Sequence, residues 1–260
     1  MNLLSNKEMP SLLNKVPEVT LGFWIIKVMS TTVGETVADY LAVDAGFGQA
    51  LTASVMGALL AIALIMQLRA RRYVPWMYWL TVVLVSVVGT QITDALTDGM
   101  GVSLYLSAAA FAAGLVAIFA TWFWNERTLS IKAIDTRPRE LFYWGAILCT
   151  FALGTAAGDL ATEALGLGFQ WGVVAFGALI ALTALAFFFG ANMVLTFWIA
   201  YILTRPLGAA MGDLLSQSPT YGGLGLGAKL TSIIFLVVIV GLVALAQRNA
   251  RQAVATVPAQ

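Results

Sequence analysis

Four stretches of this chain are written in one frame: FWIIKVMSTTVGETVAD (23–39), YWLTVVLVSVVGTQITD (78–94), YWGAILCTFALGTAAGD (143–159) and FWIAYILTRPLGAAMGD (197–213). Each opens on Phe or Tyr followed by Trp, then has Gly ten residues and Asp fifteen residues beyond that Trp, with no gap. The shared positions are Trp24, Trp79, Trp144 and Trp198; Gly34, Gly89, Gly154 and Gly208; and Asp39, Asp94, Asp159 and Asp213. Coincidence at three positions in four ungapped copies marks an internal repeat. A unit of this length completes its core against its neighbours, so the fold must be an assembly of four like units.

The material of the units sets their surroundings. Of the 260 residues 60% are hydrophobic and only 10% charged, whereas a soluble domain carries about a quarter charged residues. Eight apolar runs are long enough to cross a bilayer, near 19–41, 49–68, 76–97, 102–124, 142–165, 169–189, 193–215 and 225–246, since a membrane helix needs ~20 apolar residues. The expected fold is therefore all-α. It is a polytopic membrane protein, one domain over 1–260, with four helical hairpins near 19–70, 74–126, 140–190 and 193–247. Two spans return the chain to the side it left. The four units thus share one orientation and are parallel repeats, arranged as a ring or as two pairs.

Basic residues set that orientation. Lys7 and Lys15 precede the first span; Arg69, Arg71 and Arg72 follow the second; Arg127, Lys132, Arg137 and Arg139 follow the fourth; Arg248 and Arg251 follow the eighth. Of the 14 cations only Lys27, Arg205 and Lys229 fall elsewhere. The positive-inside rule then predicts that both termini are cytoplasmic. Trp76, Trp79, Trp122, Trp124 and Trp144 fall at the cytoplasmic ends of their spans, where an interfacial aromatic belt would lie.

There is no histidine and one cysteine, Cys149. This removes His/Cys zinc sites, Ser–His–Asp and Cys–His catalysis and His-ligated haem. The short polar loops and the lack of a GxxxxGK[ST] motif give no support for nucleotide hydrolysis or nucleic-acid binding.

Steps of four along the odd-numbered spans collect the polar residues on one face. The first span gives Lys27, Thr31, Glu35 and Asp39; the third Val82, Ser86, Thr90, Asp94 and Asp98; the fifth Ile147, Phe151, Thr155, Asp159 and Glu163; the seventh Tyr201, Arg205, Ala209, Asp213 and Gln217. Such a stripe is costly against lipid, so it must face the bundle interior or a water-filled cavity. Gly154–Gly158 and Gly208–Gly212, with Gly34–Ala38 and Gly89–Thr93, give an adjoining small-residue face that lets backbones approach. Pro206 removes a backbone donor beside Arg205 and predicts a break or kink in the seventh span.

The candidate ion- or substrate-binding set is Asp39, Asp94, Asp159, Asp213, Glu35, Asp98, Glu163, Thr90 and Thr155. Metal-ligating candidates are Glu35, Asp39, Asp94, Asp159 and Asp213. Lys27 and Arg205 are the counter-charges or gate, or else they simply hold helices one and seven in register. Asp98 and Glu163 line a vestibule or end exposed helices, and Asp44 belongs to a solvated turn. Carboxylate, hydroxyl and carbonyl donors suit hard cations such as Mg²⁺, Mn²⁺, Ca²⁺ or Na⁺, or protons. The expectation is a transporter or channel with no organic cofactor, its partners being the lipid bilayer and a small cation or proton-coupled solute. The alternatives are a non-catalytic scaffold or sensor and, more distantly, an intramembrane aspartyl enzyme using Asp159 in AAGD and Asp213 in AMGD.

The repeated Trp, Gly and Asp positions, over about 19–246, make the chain resemble a family of bacterial multi-pass membrane proteins. These carry four tandem copies of a repeat of unknown function, each with two membrane helices and a characteristic tryptophan. That resemblance implies an architecture and no settled activity. The fourth unit departs from the pattern in Arg205–Pro206 and in its longer turn, SQSPTYGGLG.

Overall fold

The computed structural model describes residues 14–255; Lys7, placed above ahead of the first span, lies outside them. Among the described residues there are eight long helices and no strand: α1 (Leu21–Asp39), α2 (Gly48–Arg69), α3 (Pro75–Asp94), α4 (Leu104–Glu126), α5 (Arg137–Asp159), α6 (Phe169–Phe188), α7 (Met193–Ser216) and α8 (Ala228–Ala255). Local signals start the odd-numbered helices where the repeats begin. Thr20, Thr136 and Asn192 cap α1, α5 and α7 by accepting a first-turn backbone N–H, and Pro75 opens α3, a position where its missing donor costs nothing. Seven of the eight, α2 to α8, are long and apolar enough to cross a membrane. The exception is α1, which carries Lys27, Glu35 and Asp39 in 19 residues and buries most of its polar residues inside the bundle.

The helices form two concentric rings. Helices α1, α3, α5 and α7 make an inner ring in chain order, with α7 closing onto α1. The outer helices do not cover their own partners. Instead α2 packs on α3, α4 on α5, α6 on α7, and α8 returns to α1. The two arms of each unit diverge, and each repeat roofs the next one's inner helix. Between 56 and 61% of the apolar stretch of α3, α5 and α7 is buried, against 6 to 22% for α2, α4, α6 and α8. The polar stripes therefore point to the axis and the almost purely apolar outer helices face outward, which is the cheaper partition of charge in a bilayer.

Two sets of contacts repeat around the inner ring. At one end the aromatic of each pair meets the Trp of the next unit: Phe23–Trp79 at 5.5 Å between centroids, Tyr78–Trp144 at 5.6 Å, Tyr143–Trp198 at 6.3 Å and Phe197–Trp24 at 5.7 Å. Trp76 and Trp124 are exposed as a belt requires, but Trp79, Trp122 and Trp144 are buried. This corrects the belt expectation: the repeated aromatic pair is mainly inter-repeat packing. In mid-bundle each repeat glycine receives the residue seven beyond the next unit's Trp. A Cβ on Gly34 would lie 1.8 Å from Ser86 Oγ, one on Gly89 2.6 Å from Phe151 Cβ, one on Gly154 2.4 Å from Arg205 Cγ, and one on Gly208 2.0 Å from Thr31 Oγ1. Only a residue without a side chain permits such approach.

At the other end α1, α3 and α5 widen into π turns directly after the repeat aspartate: Tyr40–Asp44, Ala95–Gly99 and Leu160–Ala164. Helix α7 lacks this turn and leads into a 3₁₀ turn at Pro219–Tyr221. It runs unbroken through Pro206, contrary to the expected interruption. Pro206 is buried, its ring set against Gly154 and Gly158 of α5.

Candidate functional site

The four stripes stack into layers along the axis of the inner ring. From the aromatic end these are Lys27, Val82, Ile147 and Tyr201; then Thr31, Ser86, Phe151 and Arg205; then Glu35, Thr90, Thr155 and Ala209; then Asp39, Asp94, Asp159 and Asp213. All but the last layer are fully or almost fully buried. In the aspartate layer Asp213 is buried while Asp39, Asp94 and Asp159 are half-buried. The axis is thus sealed at the aromatic end and opens toward the π turns. Asp98 and Glu163 lie exposed in those turns, one helical turn beyond their repeat aspartates. Asp44 is exposed as expected of a turn residue.

Arg205 fills the axis. Its side chain leaves α7 over Gly154 and crosses the ring. Nη1 donates to the Thr31 carbonyl at 2.8 Å. Nη2 donates to Glu35 Oε2 at 2.6 Å and to Thr155 Oγ1 at 2.7 Å, and also contacts Thr90 Oγ1. Oxygens from three repeats therefore meet at one nitrogen supplied by the fourth. Nε has no partner. The Arg205–Glu35 pair is buried on both sides, a situation in which removing one partner is far more costly than replacing both.

Lys27 sits one layer toward the aromatic end. Its Nζ donates to Thr204 Oγ1 at 3.1 Å and lies 4.2 Å from the Phe151 ring centroid and 4.3 Å from that of Tyr201. No carboxylate pairs with it among the described residues. The arginine layer stands between Lys27 and the acids, and aromatic faces supply the attraction a paired carboxylate would give.

On the open side, all four repeat aspartates lie within electrostatic reach of Glu35. Carboxylate oxygens of Glu35, Asp39 and Asp213 come within 4.8 Å of one another. Asp94 and Asp159, grouped with them from the sequence, stand outside that close set. They occupy the same layer from the opposite side of the ring, on α3 and α5.

The repeat frame that builds these layers is also what the comparisons find. The family described as a Repeat of Unknown Function (DUF347) matches residues 22–73, 77–128, 142–191 and 196–252. The chain belongs to that family. No curated protein and no solved structure matches it. Among the four matched repeats of this chain, the aromatic–Trp pair and the glycine make the contacts between units and the aspartate recurs in every copy, while Lys27, Glu35 and Arg205 are charges that single copies add.

Sequence reasoning missed three contributors. Thr204, the hydroxyl partner of Lys27, lies off the stepped stripe at the position also occupied by Ser30 and Thr150. Tyr78 and Tyr143 share a 2.5 Å hydroxyl contact beneath the lysine layer. Lys15, placed above ahead of the first span, is buried, with Nζ 2.6 Å from Glu140 Oε2 and 3.3 Å from the Leu68 carbonyl. This pair ties the chain ahead of α1 to the start of α5 and the end of α2. A lone acid at the first turn of an apolar helix was the available signal for Glu140.

Proposed function

We propose that this protein is a membrane transporter or channel for a hard cation (Mn²⁺, Mg²⁺, Ca²⁺ or Na⁺) or a proton-coupled solute, and not an enzyme. Its site is the aspartate layer with Glu35, and Lys27 and Arg205 are the internal counter-charges. The observation that carries this reading is a charge imbalance on the axis. Five carboxyl groups, Glu35, Asp39, Asp94, Asp159 and Asp213, face two cations, Lys27 and Arg205. In a membrane interior the excess must be met by a bound cation or by protons. Filling of the axis by Arg205 and by the aromatic end favours a gated transporter over an open pore. Following the basic residues, the protein sits in a bacterial inner membrane with both termini cytoplasmic, so that the aspartate layer opens outward.

Cation flux into proteoliposomes tests the proposal. Asp39→Asn and Asp94→Asn are each expected to reduce flux at least tenfold, and unchanged flux in both overturns the aspartate layer as the site. A scaffold or sensor is the second reading, favoured by the dense seat of Arg205. Under it, the same variants would shift thermal stability in a protein that moves no cation.

A further inference from the structure

The way Arg205 is held does not suit a guanidinium. A guanidinium is a planar fork whose five N–H donors are best met by acceptors spread along its edges. Here three oxygens, from Glu35, Thr90 and Thr155, converge on Nη2, which has two protons to give, while the Nε proton has no acceptor among the described residues. One nitrogen is oversubscribed and another is left bare. Oxygens gathered about a point are the coordination of a compact hard cation, one or two carboxylates with hydroxyls and carbonyls.

A second observation stands beside the first. Asp213 is 6% exposed, and no hydrogen bond or ion pair reaches its carboxylate among the described residues. That carboxylate lies within 4.8 Å of those of Glu35 and Asp39, immediately on the open side of Nη2. Glu35 thus belongs to two sets at once, the seat of Arg205 and the group it makes with Asp39 and Asp213.

We infer that the Glu35–Thr90–Thr155 cradle is a binding site for a compact divalent cation and that Arg205 is its built-in competitor, a tethered cation holding the place that the free ion takes. The inference rests on the transport reading given above and adds to it the ligands of the inner site and the group that must leave. Entry of the ion from the aspartate side brings Asp39 and Asp213 into its coordination as the guanidinium leaves Glu35; the stem of Arg205 already lies against the bare backbone of Gly154.

Mn²⁺ binding to the full chain in detergent, read from loss of the free-ion electron-spin signal, tests it. Arg205→Ala is expected to bind Mn²⁺ at least tenfold more tightly than the wild type, and Thr90→Val with Thr155→Val in that background is expected to abolish the gain. A folded Arg205→Ala protein with wild-type affinity overturns the inference, as does a gain that survives the two valines. Arg205→Lys gives an answer even if the alanine variant does not fold. A point-like cradle accepts an ammonium, so its melting temperature should stay within about 3 °C of wild type. Loss of folding in Arg205→Lys means the seat is specific for the fork and overturns the inference. The flux assay separates the two proposals. Tighter Mn²⁺ binding in Arg205→Ala with no flux in any variant upholds the cradle and removes transport. Asp39-dependent flux with no such gain removes the cradle alone.

Discussion

Gly34 and Gly57 belong to the same repeat, and both lie in the middle of a helix, yet they do opposite work. A methyl group on Gly34 would strike Ser86 of the neighbouring inner helix, whereas one on Gly57 meets nothing within 4 Å. The same contrast separates Gly89, Gly154 and Gly208 in the inner ring from Gly177 and Gly241 in the outer one. The inner ring is built on contact distances that only glycine allows. Apart from Gly172, which packs closely on Thr162 and Ala210, the outer ring is a hydrophobic jacket in which glycine is merely tolerated. Buried charges on the long helices follow the same division: Lys27, Glu35, Glu140, Arg205 and Asp213 all lie on inner helices.

Substitutions can break this contrast or sharpen it. The largest effect is expected at the charge the inner ring encloses. Arg205→Met leaves Glu35 buried without its partner and should destabilise the protein by about 3–5 kcal/mol; adding Glu35→Gln should restore most of that. Thermal or SDS-driven unfolding of the purified protein checks both, and a single variant as stable as wild type would deny that the pair is enclosed. A smaller loss is expected at the inner glycines. Gly34→Ala gains helix propensity worth ~1 kcal/mol but forces the inner helices apart, with an overpacking cost of about 1–3 kcal/mol. A net destabilisation is the expected sign, and a more stable Gly34→Ala would show that α1 and α3 are not in fixed contact. The smallest effect belongs to the jacket. Gly57→Ala and Gly177→Ala should be neutral or stabilising by up to about 1 kcal/mol each. A loss at either would reveal a packing partner on the outer surface.

Much of this was legible before any coordinates. The repeat frame, the helices and the steps of four that stack Lys27, Thr31, Glu35 and Asp39 all follow from local periodicity, because a helix fixes which residues share a face. Apolar length marked eight spans, and seven of them form helices long and apolar enough to cross a membrane; the first, α1, carries three charges and falls short of that. The pairing of the arms was not legible. Nothing in the order of α1 and α2 says that α2 will leave its own partner and cover α3, since both surfaces are apolar and periodicity carries no address. The buried Trp79 and Trp144 belong to the same blind spot: a tryptophan near the end of a membrane helix reads alike whether it faces headgroups or the next repeat.

What the sequence determined by itself is a fourfold membrane frame with an aspartate in each copy and two cations added to the stripes of the first and last. Only the tertiary structure decided which charges meet. Lys27 and Arg205 stand one layer apart on matching stripes, yet one is held by aromatic rings and a hydroxyl and the other by Glu35 and the oxygens of three repeats. The reason is geometric. A stripe fixes the face and height of a side chain along its own helix, but the partner it reaches across the axis depends on how four helices are rotated and spaced. That spacing is set by the glycine contacts between repeats.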